Sequence, residues 1–386
     1  MIPYGRQHIT DEDIAEVVAV LKSDFITQGP AVERFEQSVA SFCGAAMAVA
    51  VSNATAGLHI AYQALGVGLG DLVWTVPNTF AATANAARYL GADVDFVDID
   101  MATRNMSVDA LEAKFEAAEA AGRLPKLVVP VHFAGLSCDM VSISALCRKY
   151  GALIVEDASH AIGGSYKGRP IGNCQFSAAT IFSFHPVKII TTGEGGMVTT
   201  ADKALGERIA MLRSHGITRD PKRMGADVDG PWYYEMLELG FNYRMTDIQS
   251  ALGASQMARL ESYIETRNEI ANAYNTDLAD GGLGLPDRSP DCVSAFHLYS
   301  IHWPAGLGGI DRRQAVEALR QKGIGVNVHY IPVHTLSYYR GLGFRAGSFP
   351  NAEAHYAQAI SLPMFATLTE NERGFVVKSL RDLAGK

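Results

Sequence analysis

The chain has 386 residues and a mass of 41.5 kDa, more than one hydrophobic core usually supports, so we expect one large domain and one smaller domain. Hydrophobic residues make up 48% of the chain, yet the longest apolar runs are far too short to cross a bilayer, which argues against a membrane partner. The net charge of −8, with no basic face, argues against a nucleic-acid partner, because such binding is mainly electrostatic.

The N-terminus and the cysteine and histidine spacings exclude further classes. The sequence MIPYGRQHITDED lacks the basic and apolar stretches of a signal peptide, so we expect a cytoplasmic protein. The five cysteines are irregularly spaced without a CxxC pair, which favours buried or inert thiols. His329 and His334 lie at an odd spacing in a strand-like run, which sends their side chains to opposite faces, so no metal site is predicted.

Short β-branched runs alternate with helical stretches between residues 47 and 200. The predicted strands begin at residues 47, 72, 93, 126, 153, 179 and 195. The predicted helices between them lie at 57–65, 81–90, 108–121 and 140–151. Strands that alternate with helices form parallel β-α-β units, and continuous apolar strands belong in a sheet covered on both faces. The sequence therefore predicts an α/β domain whose ligands lie beyond the carboxyl ends of the strands.

The pattern changes near residue 247. Residues 246–280 predict one long helical region with at most one break. A strand, a helix, a second strand and two further helices are predicted after it; the first three lie at 295–303, 312–323 and 325–332. We therefore predict an N-terminal segment and a large domain at 1–250, followed by a connector helix and a small α+β domain at 251–386.

Asp157 and Lys188 stand just past the carboxyl ends of two predicted strands. Taken alone, Asp157 is explained as well by a structural role, as an ion pair or a helix cap, as by a functional one. Lys188 alone is better explained as a solvated surface residue. Because both residues would lie at the same edge of one sheet, a single ligand could contact Asp157 and Lys188 together. The stretch SNATAGLH, from residue 52, leads a strand into a helix N-terminus, where backbone N–H groups and the Thr55 hydroxyl can bind a phosphate.

An amine, a carboxylate and a phosphate site together match pyridoxal 5′-phosphate (PLP). This cofactor needs a lysine to form a Schiff base, an acidic residue to keep its pyridine nitrogen protonated, and an anion site for its phosphate. Phe80 stands at another strand-to-helix junction, where its ring could stack on the cofactor. Considered alone, Phe80 is better explained by core packing.

At these residues the chain resembles the fold-type I PLP enzymes and, within them, the sugar aminotransferases of the DegT/DnrJ/EryC1/StrS family. The matching blocks follow the family's order along the whole chain: FITQGP, SNATAGLH, VPNTFAATAN, VEDASHAIG, FSFHPVKIITTGEGG and GFNYRMTDIQSALGASQ. The resemblance implies an aspartate-aminotransferase-like fold. Its large PLP-binding domain would hold a mainly parallel seven-stranded sheet, and its C-terminal domain would be a smaller α+β unit.

The resemblance also implies roles around the cofactor. Lys188 would carry PLP as a Schiff base, Asp157 would pair with the pyridine nitrogen, and His160 would lie near the phenolic oxygen. The implied phosphate ligands of the same chain are Ala54, Thr55 and Ser183. Asn242 would reach the phosphate from a second subunit, so the resemblance implies a homodimer with shared active sites.

The C-terminal blocks NVHYIPVH, SYYRGLGF and SFPNAEAHYAQAISLPMF resemble one subfamily in particular. That subfamily aminates C4 of a UDP-linked 4-keto-6-deoxy-N-acetylhexosamine in pseudaminic acid biosynthesis. It implies substrate contacts on three segments: Tyr4, Ile26, Thr27, Gln28, Gly29, Asn327, Val328, His329 and Tyr330. His185, which is close to Lys188 in the sequence, would either orient a substrate hydroxyl or phosphate or serve packing alone.

The hypothesis is a two-step transamination in which L-glutamate supplies the amino group and Lys188 moves the α-proton. The nearest alternative is a sister aminotransferase for another nucleotide-linked 4-keto sugar, such as a UDP-4-keto-pentose. A sugar dehydratase is a second alternative, but such relatives lose the lysine, so Lys188 argues against it. A non-catalytic relative that binds a sugar nucleotide is the third alternative.

Overall fold

The computed structural model describes residues 1–225 and 229–386. The α-helices of this part of the chain are α1 (Asp11–Leu21), α2 (Pro30–Cys43), α3 (Ala54–Ala64), α4 (Ala82–Tyr89), α5 (Val108–Ala120), α6 (Met140–Tyr150), α7 (Lys203–Leu212), α8 (Asp247–Met257), α9 (Leu260–Leu278), α10 (Arg312–Gln321), α11 (Ser337–Gly341), α12 (Pro350–Gln358) and α13 (Glu370–Ala384). The strands are β1 (Met47–Val51), β2 (Leu72–Thr75), β3 (Asp93–Phe96), β4 (Leu127–Val128), β5 (Leu153–Asp157), β6 (Ser165–Tyr166), β7 (Arg169–Pro170), β8 (Ala179–Ser183), β9 (Gly196–Thr200), β10 (Ile217–Thr218), β11 (Glu235–Met236), β12 (Cys292–Val293), β13 (Tyr299–His302) and β14 (Ala359–Leu362).

The central sheet has seven strands in the order β1-β9-β8-β5-β4-β2-β3. Five neighbouring strands run parallel to one another: β8, β5, β4, β2 and β3. They confirm the predicted α/β class and the mainly parallel sheet. β9 runs antiparallel to both of its neighbours. This reversal has a physical cause: residues 184–195 join β8 to β9 without the crossover helix that a parallel connection needs.

Helices cover both faces of the sheet. On one face, α3 and α7 bury apolar side chains such as Ile60 and Leu212 against the strands. On the other face, α5 and α6 are joined by the rings of Phe115 and Tyr150, which stack with centroids 4.6 Å apart. Burial on both faces explains why β8 and β9, inside the sheet, are buried at every position without alternation.

A further core forms near the C-terminus, where α9, α10 and α13 pack around β13 and β14. The long helical region is broken once, between α8 and α9, as predicted. α8 packs against α1 and α2 of the N-terminal segment. The division into 1–250 and 251–386 stays a prediction.

The predicted strand at 325–332 is wrong. Only Asn327 makes a bridge, to Ser361, because side chains occupy two of the backbone donors that a strand would use. The Val328 amide donates to the side-chain oxygen of Asn327, and the Tyr330 amide donates to that of Asn78. The strand beside β13 is instead β14, which the sequence did not predict, and three helices rather than two surround it after residue 332.

Among the described residues, no helix is both long enough and apolar enough to cross a bilayer. All five cysteines in this part of the chain are free thiols, and four of them are buried. Burial raises the pKa of Cys147 to about 12 and that of Cys174 to about 11, so these thiols stay protonated. Cys292 is the half-buried one of the five.

Candidate active site

Lys188 lies in the loop that joins β8 to β9. The loop folds back on itself, because the Phe184 amide donates to the Gly195 carbonyl at 2.9 Å and the Thr192 amide donates to the Phe184 carbonyl at 3.0 Å. Burial lowers the pKa of Lys188 to about 8, and the negative charge of Asp157 opposes this shift. A lysine with this pKa supplies the neutral amine that a carbonyl compound requires.

Asp157 is the last residue of β5 and is paired in register with Ile181 of β8. Its side chain is only 4% exposed and accepts three hydrogen bonds. Thr83 donates to one oxygen at 2.7 Å, and the amide and hydroxyl of Ser159 donate to the other at 3.1 and 2.6 Å. These bonds fix the orientation of the buried carboxylate. Thr83 was not among the predicted site residues, although a hydroxyl at the start of α4, near Phe80, was a usable signal.

The N-terminus of α3 meets β8 and β9 at one corner of the sheet. The Asn53 side chain caps the helix, and no hydrogen-bond acceptor in the described chain meets the amides of Ala54 and Thr55. Gly196, which pairs with Ser183, approaches so closely that a Cβ there would lie 2.7 Å from the Ala54 nitrogen. The structure thus brings Ala54, Thr55 and Ser183 together beside free N–H donors, as an anion requires.

Phe80 lies between β2 and α4 with 65% of its surface exposed. It belongs to none of the buried clusters of the described residues, so core packing is the wrong explanation for it. Its carbonyl accepts a hydrogen bond from the Thr83 amide at 3.3 Å, which ties it to the residue that holds Asp157. The open ring is available to cover a flat ligand.

His160 makes two hydrogen bonds inside the site. Its Nδ1 lies 3.3 Å from the Ala134 amide nitrogen, and its Nε2 lies 2.9 Å from the Tyr330 hydroxyl. The ring of His297 is 4.5 Å from that of His160, a neighbour that the sequence analysis did not identify. Burial and then the charge of Lys188 lower the pKa of both histidines well below 6.5, so both rings are neutral.

Tyr4 and the segment from Asn327 to Tyr330 lie together, as the sequence analysis expects. The rings of Tyr4 and His329 are 5.8 Å apart, and His329 also pairs with the Ser361 hydroxyl at 2.8 Å. Burial and then the charge of Lys188 lower the pKa of His329 to about 3. This segment is therefore within electrostatic reach of the lysine.

The side chains of the remaining predicted site residues make no hydrogen bond to the residues described above. Ile26, Thr27 and Gln28 are exposed, and Gly29 donates to Asp247 at the start of α8. Within residues 1–225 and 229–386, no hydrogen bond joins this segment to Tyr4 or to residues 327–330. The side chains of His185 and Asn242 are exposed, and neither makes a hydrogen bond to the described part of the chain. Their roles stay predictions.

The residues present fit PLP. Lys188 provides an amine with a lowered pKa, and Asp157 provides a buried, oriented carboxylate. The unpaired amides at the start of α3 suit a phosphate, and the Phe80 ring is open. Each feature answers one chemical requirement of that cofactor.

The sequence pattern of the DegT/DnrJ/EryC1/StrS aminotransferase family matches residues 7–381. The chain belongs to this family. A Bacillus subtilis relative, the spore coat polysaccharide biosynthesis protein SpsC, is 39% identical over 385 residues, which cover 99% of this chain and 97% of SpsC. The family assignment therefore extends over nearly the whole chain.

Solved structures of other aminotransferases match along the full chain. Helicobacter pylori PseC, described as an aminotransferase involved in the biosynthesis of pseudoaminic acid, is 30% identical with a TM-score of 0.90, over 100% of this chain and 99% of PseC. Spr1654 from Streptococcus pneumoniae, described as a putative sugar aminotransferase and solved in a PMP form, is 28% identical with a TM-score of 0.90. The match covers 100% of this chain and 99% of Spr1654. That protein is also solved in a PLP form. The predicted transaminase class, the PLP cofactor and the fold-type I architecture are confirmed.

Proposed function

We propose that this sugar aminotransferase moves the amino group of L-glutamate to C4 of a UDP-linked 4-keto-6-deoxy-N-acetylhexosamine, the reaction expected in pseudaminic acid biosynthesis. The observation that carries the proposal is the similarity to PseC over the whole chain, at 30% identity and a TM-score of 0.90. The grouping of Tyr4, His329 and Tyr330 near Lys188 supports it, because these residues belong to the predicted sugar-binding segments.

When bound, PLP supplies an electron sink and carries the amino group between two half-reactions. Lys188 then has two tasks in this proposal. Its Nζ would hold the cofactor covalently between turnovers. As a free amine it would take the proton from the Cα of glutamate in the first half-reaction and deliver a proton to the C4 of the sugar in the second. A pKa of about 8 allows the amine to accept and return that proton near neutral pH.

Asp157 would support the amino transfer through the pyridine nitrogen of the cofactor. Its buried carboxylate, held by Thr83 and Ser159, would keep the pyridine nitrogen protonated, because a negative charge there favours the protonated form. Phe80 would cover the ring, and the amides at the start of α3 would bind the phosphate with Thr55 and Ser183.

We further propose a homodimer in which Asn242 completes the partner's phosphate site. Apolar side chains stand exposed just before Asn242: Trp232, Tyr234, Met236, Leu237 and Leu239. Trp232 is 71% exposed and Leu239 is 74% exposed. Soluble proteins rarely leave such a patch in water, so a second copy of the chain is the proposed cover. We assign the reaction to the cytoplasm, where the sequence analysis expects the protein.

A second candidate substrate is another nucleotide-linked 4-keto sugar. SpsC supports it, because SpsC is more similar in sequence, at 39% identity, and is described by a polysaccharide biosynthesis role. The enzyme class and the roles of Lys188 and Asp157 would be the same for both sugars. The residues near Tyr4 and His329 would then recognise a different sugar.

A competition assay tests the choice of sugar. The protein receives L-glutamate with equal amounts of the UDP-keto-hexosamine and a UDP-4-keto-pentose, and the amino sugars are identified by mass and NMR. We expect a preference of about tenfold or more for the hexosamine, the scale of one well-placed contact. A Tyr4→Ala variant should lose that preference, whereas Tyr338→Ala, at an exposed position on α11, should keep it. A wild-type preference for the pentose would contradict the proposal.

A further inference from the structure

Both ring nitrogens of His160 are occupied by protein partners. Nδ1 faces the Ala134 amide at 3.3 Å, and Nε2 faces the Tyr330 hydroxyl at 2.9 Å. The His160 and Tyr330 rings are nearly parallel, with an interplanar angle of 19° and centroids 5.9 Å apart. His160 therefore has no free nitrogen with which to bind a ligand.

The proton positions follow from these partners. A backbone amide can only donate, so Nδ1 must be the acceptor, and a neutral imidazole then carries its hydrogen on Nε2. Nε2 consequently donates to the Tyr330 oxygen. The hydroxyl proton of Tyr330 is left over, and no acceptor for it is present among the described residues. An oriented phenol proton inside a ligand site is an unused hydrogen-bond donor.

Contacts hold both the backbone and the side chain of Tyr330 in place. Its amide donates to the side-chain oxygen of Asn78, two residues before Phe80, and its ring lies over His160. Burial and then the negative charge of Asp157 raise the pKa of Tyr330, so the hydroxyl keeps its proton at neutral pH. The donor thus lies beside His160, three residues after Asp157 in the chain.

We propose that Tyr330 donates this proton in a hydrogen bond to the phenolic oxygen of bound PLP, and that His160 is the positioning residue that aims it. The proposal rests on the PLP site at Lys188 and Asp157. The other polar groups of PLP would already have suitable partners, since the amides of α3 would bind the phosphate and Asp157 would pair with the ring nitrogen. The phenolic oxygen is the group that needs a single donor.

The spectrum of the bound cofactor reports on this bond. A donor to the phenolic oxygen stabilises its anionic form and lowers the pH at which the covalently bound chromophore titrates. Other titratable groups that face Lys188 also act on the midpoint, and each must be left in place: Asp157 on β5 and His297 and His329 on the loops beside β13 and β14. Only Tyr330 and His160 are therefore varied.

The experiment is a pH titration of the absorbance of the PLP-loaded protein. Tyr330→Phe should raise the midpoint by about one to two pH units, the scale of one hydrogen bond to a charged group. His160→Ala should shift it in the same direction by less. His160→Gln should return it close to the wild-type value, because a side-chain amide can accept from Ala134 and donate to Tyr330.

Other results would overturn the inference. An unchanged midpoint in Tyr330→Phe, with the full shift in His160→Ala, would make the imidazole the direct donor. If Tyr330→Phe does not fold, fluorotyrosine at position 330 keeps the ring shape with a more acidic hydroxyl, and the midpoint should fall; no change would refute the role. Absence of any Lys188-dependent absorbance band in the wild type would instead refute the PLP site itself.

Discussion

Thr83 donates a 2.7 Å hydrogen bond from its hydroxyl to the carboxylate of Asp157. Thr83 has one hydroxyl proton, so the Thr79 hydroxyl, 2.9 Å away, must be the donor in the bond between the two threonines. A buried chain of donors therefore runs from Thr79 through Thr83 to Asp157. The chain orients the carboxylate that the proposed chemistry needs at the end of β5.

Thr83→Val removes this bond while it keeps the shape of the side chain. We expect kcat/KM for amino transfer to fall by about tenfold or more, because hydrogen bonds to charged groups contribute about 1.5–3 kcal/mol. The absorbance band of the Lys188-bound cofactor should persist. Thr79→Val is the matched control and should lower kcat/KM by no more than about threefold. A loss in Thr83→Val no larger than the loss in Thr79→Val would contradict the importance of the direct bond to Asp157.

The amine of Lys188 should react with aldehydes at an unusually low pH. Burial lowers the pKa of Lys188 to about 8 from 10.5, and only the neutral amine is a nucleophile. The rate of modification of the cofactor-free protein by a neutral aldehyde should therefore rise with pH and reach half its maximum near pH 8. Asp157→Asn should lower that midpoint, since the Asp157 charge raises the pKa of Lys188. A midpoint near 10.5 in the wild type would contradict this environment.

Gly196→Ala tests the close approach of β9 to α3. The new Cβ would lie 2.7 Å from the Ala54 nitrogen, so the helix start must shift. We expect a loss of about 1–3 kcal/mol in the free energy of unfolding and a weaker affinity for PLP. Gly68→Ala, where nothing lies within 4 Å, is the control and should change the free energy of unfolding by less than about 0.5 kcal/mol. A Gly196→Ala variant that binds PLP with wild-type affinity would contradict the proposal that the start of α3 binds the phosphate.

The shared active site can be tested by mixing two variants. Lys188→Ala lacks the lysine, and Asn242→Asp places a negative charge where the partner's phosphate is proposed to bind. Each should be inactive alone. A refolded equal mixture should recover about a quarter of the wild-type activity, because half of the dimers are mixed and each mixed dimer has one intact site. No recovery, with both proteins dimeric by light scattering, would place Asn242 outside the partner's site.

Much of this site could be predicted from the sequence, because parallel strands bring residues of distant blocks to one edge. That rule places Asp157, Lys188 and the start of α3 together without any knowledge of contacts. Local periodicity could not predict the reversal of β9, which depends on how a loop folds back. It also could not predict that residues 325–332 leave the strand conformation, because the responsible partner, Asn78, lies more than 200 residues away.

Side-chain partnerships were the least predictable feature. Thr83 and His297 reach the site through the tertiary packing of α4 and of the segment before β13. Thr83 lies inside the sequence block VPNTFAATAN, but nothing local indicates that its hydroxyl meets Asp157. Phe80 illustrates the opposite case, in which the more ordinary explanation for a phenylalanine failed because the fold leaves its ring exposed. Burial, unlike strand order, depends on the whole structure.

The most direct test of the central claim is the half-reaction with L-glutamate. The PLP-loaded wild type should lose its Lys188-dependent absorbance band on addition of L-glutamate and release one equivalent of 2-oxoglutarate per site, and addition of the UDP-keto-hexosamine should restore the band. Lys188→Ala should release no 2-oxoglutarate in successive turnovers. A wild-type protein that binds the sugar nucleotide but neither changes colour nor forms 2-oxoglutarate would contradict amino transfer at this site.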